Sequence, residues 1–146
     1  MAQFGRPSAD TSIGGYTDQA AGTTDIYLEI DEVTAEDVGF VRSIVNPAAA
    51  PYVVALTTLE DPVASTGHIV RWRRGKDAAG GATVNLTVQL RQGYVNEGTP
   101  GTLIAEKATV AVPDTFTDDT FTLSGAEADA ITDYTSLFLR FVADQP

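Results

Sequence analysis

The stretch GHIVRWRRGK, from Gly67 to Lys76, concentrates the side chains that could do chemistry. It holds the only histidine, His68, the only tryptophan, Trp72, and four of the nine basic residues: Arg71, Arg73, Arg74 and Lys76. Three uses suggest themselves: proton transfer or nucleophile activation at His68, stacking of a sugar or base on Trp72, and phosphate recognition by the arginines. A lone histidine in a chain without cysteine cannot gather the several N or S ligands of a typical zinc site. No glycine-flanked serine elbow supplies His68 with a nucleophile. Twenty acidic residues against nine basic ones give a net charge of −11, which repels phosphate backbones. No glycine-rich loop follows a strand to cradle a phosphate. The sequence therefore assigns no catalytic residue, no organic cofactor, no metal and no nucleic-acid partner.

Carboxylates are the second candidate set. DEVTAED supplies Asp31, Glu32, Glu36 and Asp37, and EADAITD supplies Glu127, Asp129 and Asp133. Paired carboxylates could hydrolyse glycosides or bind calcium. Neither run has the alternating oxygen-ligand spacing of a calcium loop. Thr34 lies three residues before Asp37, and Ser124 three before Glu127, which predicts two capping boxes on two short helical turns.

These side chains must be held by strands, because period-two patterns dominate the chain. DIYLEIDE, FVRSIV (40–45), YVVALTT (52–58), HIVRWRR (68–74), ATVNLTVQLRQ (82–92), TLIAEKATVAV (102–112), TFTLS (120–124) and SLFLRFVA (136–143) are the candidates. Glycine, proline, asparagine and aspartate punctuate them as turns. In HIVRWRR, parity sets Val70 and Trp72 on one face and Arg71 and Arg73 on the other. Trp72 is expected in the core, against Val84, Leu86 or Val88, with GKDAAGG closing a hairpin between those strands. The arginines are expected to pair with carboxylates on neighbouring strands or subunits. The fold class is all-β: a two-sheet antiparallel β-sandwich, jelly-roll-like, of about eight strands and two short helical turns.

Residues 1–24 are polar, small and glycine-rich, and could not alone offset their ordering entropy. They predict an extended N-terminal arm laid on its own domain or on a neighbouring chain, followed by a single domain over 25–146. Phe4, Ile13 and Tyr16 are its apolar anchors. Arg6 and Pro7 form a stiff, charged piece. These five are the expected partner contacts. The opening residues lack the charged start and apolar run of a signal peptide. PAAAPYVVAL is too short and proline-rich to span a bilayer, so no membrane partner is expected.

The order of features resembles the small jelly-roll structural proteins of tailed bacteriophages: a segment ending IDE, then TAEDVGFV, DPVASTGHIVRWR, a glycine-rich connection, TVNLTVQL and LSGAEADAITDYTSLFLRF. The resemblance covers roughly residues 25 to 143 and transfers no site residues. It implies a virion structural protein, of the decoration or cement kind on capsids, or tail-associated. Such a protein is made in the host cytoplasm and sits in many copies on the outer surface of the virion. Its partner is the major capsid protein or another virion protein. The acidic surface suits the outside of a shell rather than its DNA-facing side. The alternative is a carbohydrate-binding module or adhesin, which would present planar aromatics such as Tyr27 and Tyr94. A hydrolase on the same scaffold ranks last for want of a constellation.

Overall fold

The computed structural model of the chain describes residues 2–34 and 36–146. Nine strands form among them: β1 (Pro7–Ser12), β2 (Thr17–Asp18), β3 (Val41–Arg42), β4 (Ala50–Leu56), β5 (Ile69–Arg74), β6 (Asn85–Gln92), β7 (Thr102–Thr109), β8 (Thr117–Thr122) and β9 (Leu137–Asp144). One short helix, α1 (Gly125–Asp129), and two 3-10 turns, Ile26–Glu29 and Ala78–Gly80, complete the described regular structure.

Five strands make the main antiparallel sheet, in the order β1-β4-β9-β6-β7. Register explains its core. Tyr52, Phe141 and Val88 lie side by side across β4, β9 and β6, and so do Val54, Leu139 and Leu90. Two adjacent apolar rows on one face must be covered. The cover is the β5–β8 ribbon, paired antiparallel with Val70 opposite Phe121 and Trp72 opposite Asp119. Val70, Trp72 and Phe121 pack into the same hydrophobic cluster as Val88 and Leu139. The result is an all-β, sandwich-like arrangement with unequal layers. β2 and β3 pair separately as a small ribbon.

The parity expected for Trp72 holds: its ring meets Phe121 edge-on, 5.8 Å between centroids, on the core side of β5. The expected hairpin does not form. β5 pairs with β8, while β6 lies between β7 and β9 in the other layer. Both strands carry an apolar face, and facing each other across the core buries both faces, which side-by-side pairing would not. The 3-10 turn Ala78–Gly80, capped by the Asp77 carboxylate and followed by Gly81 at φ 64°, carries the chain between layers.

The strand expected in DIYLEIDE is instead a 3-10 turn, entered through Asp25 at φ 52°. Ile26 is fully buried and Ile30 packs against the core, while Leu28 is exposed. Ile30 lies just past the turn, as its C-cap, so its return to the core is set by the exit of the chain rather than by helical period. FVRSIV contributes only Val41–Arg42 to a strand. At Ser124 the expected capping box is present: Ser124 Oγ accepts from Glu127 N at 3.3 Å, and Glu127 Oε2 accepts from Ser124 N at 2.7 Å. The turn expected at Thr34–Asp37 spans Ala35 and falls outside the described residues.

Part of the N-terminal segment lies on its own domain, one of the two places expected for it: β1 and β2 both fall within residues 7–18. β1 is an edge strand of the main sheet, paired with β4. Its leading Pro7 is tolerated because an edge position leaves the missing N–H unneeded. Gly14, at φ 53°, lies so close to the Pro51 carbonyl that a Cβ there would overlap the oxygen. This close approach seats Tyr16 in the core, stacked on Tyr52 at 5.4 Å. The Tyr16 hydroxyl donates to Ala50 O at 3.0 Å and accepts from Ala143 N at 3.2 Å. The polar segment is thus ordered by borrowing core and backbone partners from the domain.

Candidate functional site

Two strands cannot cover five. Between the β5–β8 ribbon and the inner face of the main sheet lies an open cleft of about 1740 Å³. Its walls include Trp72 and His68 from β5 and its approach, and Leu90 and Phe141 from the main sheet. Phe4, Val33, Ile44 and Val45 also line it, and all four are exposed.

The β5 wall is held by ion pairs. Arg74 Nη2 reaches Asp119 Oδ2 at 2.9 Å, and Lys107 Nζ reaches Asp119 Oδ1 at 2.5 Å. Lys107 also lies over the Trp72 ring, 5.5 Å from its centroid. Burial pushes the Asp119 carboxyl up, but hydrogen bonds from Lys107, the Thr120 backbone and Arg74 outweigh it and bring the group down to about 2. Arg73 forks between Asp37 Oδ1 at 2.5 Å and Asp118 Oδ1 at 2.9 Å. Hydrogen bonds to these two carboxylates hold its guanidinium well above the usual range. Lys76 pairs with Asp114 at 2.5 Å. The basic strip is therefore matched by acids, as expected from cross-strand neighbours, except that Arg71 is exposed and in no ion pair among the described residues.

His68 Nε2 lies 2.7 Å from the Tyr134 hydroxyl, with the rings 5.8 Å apart. Burial, then Asp61 and Asp129, push the Tyr134 phenol up. A neutral phenol against an imidazole is a structural hydrogen bond that joins the start of β5 to the segment before β9. Among the described residues, no group of three or more His, Cys, Asp or Glu side chains is placed to hold a metal ion. No described helix is long and apolar enough to cross a membrane.

The five expected partner contacts separate. Tyr16 is only 5% exposed and Ile13 packs against the core, so the domain itself uses both. Burial pushes the Tyr16 phenol up to about 12, opposed by the Ala143 N–H and by Arg140. Pro7 starts β1. Arg6 donates to the Glu32 carbonyl and lies 5.8 Å over the Phe4 ring. Phe4 is 63% exposed and remains free for a contact. Of the aromatics proposed for a glycan platform, Tyr94 is buried, donating to Glu97 Oε1 at 2.8 Å, and Tyr27 is half-buried against the core.

Sequence reasoning missed Asp119, Lys107 and Tyr134. TFTDDT reads as a turn from composition, and nothing local shows that its second aspartate faces Trp72 and Arg74 across a ribbon. It also missed the exposed apolar residues of the 28–45 segment, because IYLEI and FVRSIV read as buried strands. The signal available was the acidic run between them: Asp31, Glu32, Glu36 and Asp37 cannot accompany a buried segment without partners. No family model matches the chain, and no curated protein or solved structure does either.

Proposed function

We propose that the chain is a non-catalytic structural protein of a tailed-phage virion, attached in many copies to the outside of the shell or to another virion protein. The observation that carries this reading is the exposure of large apolar side chains that line this cleft: Val33 is 84% exposed and Val45 88%, and Phe4 and Ile44 are exposed as well. Grouped apolar exposure on a small domain marks a surface that another protein covers. Arg73, Arg74, Asp119 and His68, the groups of the β5 wall that could do chemistry, are committed to ion pairs and hydrogen bonds within the fold, which is the arrangement of a scaffold. A net charge of −11 suits the outer side of a DNA-filled shell and disfavours nucleic acid as a partner. The layered β architecture supports the jelly-roll-like reading, and the phage resemblance in the order of motifs supports the virion. The mechanism is mechanical: each copy adds buried area across neighbouring subunits, so that the shell resists internal pressure. The carbohydrate-binding alternative is disfavoured, since Phe4 is the one exposed aromatic among the described residues.

The test is mass spectrometry of purified particles from the phage or prophage that encodes the chain, with antibody labelling of intact particles in the electron microscope. The chain should be present in many copies and labelled from outside. Particles that lack it overturn the reading.

A further inference from the structure

The β5–β8 ribbon has two free edges, and they differ. The Leu123 N–H donates to the His68 carbonyl directly opposite, at 2.9 Å, and the pairing runs on without a bulge. In an antiparallel pair this phase is fixed, so the even-numbered residues of β5 spend their main-chain groups on β8. The N–H and C=O groups of Ile69, Arg71 and Arg73 point the other way. None of these groups enters a hydrogen bond among the described residues. Asp37 reaches this side only through the Arg73 side chain. Ile69 and Arg71 are exposed. On β8 the central outward position is closed by side chains: Thr120 N–H donates to Asp119 Oδ1 at 2.8 Å, and Lys107 Nζ donates to Thr120 O at 2.9 Å. Lys107 belongs to β7, so β8 lies over that edge of the main sheet. The cleft is on the side of β5, which lines it from end to end, whereas no residue of β7 does. Trp72 and, from β9, Leu139 and Phe141 face that space.

We propose that the free edge of β5 accepts an extended segment of a partner protein as the next strand of this layer, with alternate apolar side chains of that segment entering the cleft. The main-chain groups of Ile69, Arg71 and Arg73 hold its backbone, and the cleft selects its side chains. The occupant follows from the chemistry of the edge. Free N–H and C=O groups at every second residue match an extended backbone, and an apolar space on one side of the strand matches alternation. A second copy fits poorly: β5 against β5 about a twofold axis gathers the Arg71 and Arg73 side chains of both copies on one face. The proposal rests on the reading of the chain as an assembly protein and narrows it to one strand edge and one mode of attachment.

The test uses the full chain and a peptide of the length of β5 that alternates Val with Gln, beside the same peptide with a central proline. Binding is read from the emission of Trp72, the only tryptophan. The alternating peptide should bind and the proline-interrupted one should not. Arg71→Pro removes an outward N–H and no ribbon hydrogen bond, so the fold should survive by circular dichroism while affinity falls at least about tenfold. Arg71→Thr keeps that N–H and should bind within about twofold of the native chain. Amide exchange of the native chain gives a second readout that needs no variant: the peptide should protect Ile69, Arg71 and Arg73, while Val70 and Trp72 are already slow without it. Equal binding of the two peptides overturns the proposal, and so does unchanged binding in Arg71→Pro or a lack of protection at Arg71. Self-association that Arg71→Pro abolishes also overturns it, in favour of a second copy. Presence in purified particles without peptide protection of β5 sinks this inference alone. Absence from particles with that protection intact sinks the virion reading alone.

Discussion

The centre of the main sheet and the segment from Ile26 to Ala49 have similar apolar content and opposite fates. In the sheet, β4 is covered on both faces: Tyr52, Val53 and Val54 are all fully buried, between β1 and β9 and beneath the second layer. In the 26–49 segment, Leu28, Val33, Val38, Ile44 and Val45 are all exposed. Its regular elements among the described residues are a 3-10 turn and the short β3. It is bracketed by Asp25, Asn46 and Ala49, three non-glycine residues in the left-handed region. A left-handed L-residue costs roughly 1–2 kcal/mol, which neighbouring structure must offset. Apolar content alone thus does not decide burial. A strand is buried when strands on both sides satisfy its backbone, and among the described residues the 26–49 segment pairs only with the two-residue β2.

The largest expected effect lies in the sheet. Tyr52→Ala should cost about 3–5 kcal/mol in urea unfolding, because it empties a fully buried ring site. It also strands Asp10, whose Oδ1 accepts from the Tyr52 hydroxyl at 2.8 Å. A cost below about 1 kcal/mol would show that the two regions are packed alike.

Asp119 ties the layers together next. Its folded carboxyl is lowered to about 2, so it stabilises the fold above its ordinary range near 3.8 and loses that contribution as pH falls through about 2. Screening by nearby solvent leaves about 1 kcal/mol in that acid limb. Asp119→Asn should flatten the loss of stability between pH 4 and 2. It should cost about 2 kcal/mol at pH 7, since Arg74 and Lys107 lose their shared partner. An unchanged acid limb would remove Asp119 from the account.

Tyr16→Phe probes whether the N-terminal segment belongs to the sheet. Losing hydrogen bonds to Ala50 O and from Ala143 N should cost about 1–2 kcal/mol and speed proteolysis of the first residues. Equal protease resistance would mean that stacking on Tyr52 suffices to hold the segment. The smallest effect belongs to the other region. Val45→Ser should change stability by less than about 0.5 kcal/mol, because the side chain is already in water. A destabilisation like that of the sheet variant would show that Val45 is covered by its own chain.

Much of the sheet was legible in residues alone. The alternation of Val84, Leu86, Val88 and Leu90 placed β6, and the parity of Val70 and Trp72 oriented β5, because a strand's two-residue period is local and survives any topology. Ser124 and Glu127 likewise announced α1, since a capping box closes within four residues. Pairing was not legible. That β5 meets β8 rather than β6 depends on which apolar faces can be buried together, and that is a property of the whole chain. Where the N-terminal arm lies was not legible either, because Tyr16 finds its stacking partner, Tyr52, in β4, far along the chain. Ile26–Ile30 read as a strand because Ile26, Leu28 and Ile30 alternate with polar residues, and only the lack of a partner strand among the described residues decides against it. The sequence by itself determined the β class, the faces of the long strands, the acidic charge and the capped turn, all set by nearest-neighbour stereochemistry. The layering, the Arg74–Asp119–Lys107 cluster and the cleft between the layers were decided by tertiary structure alone, because each joins residues that only long-range burial brings together.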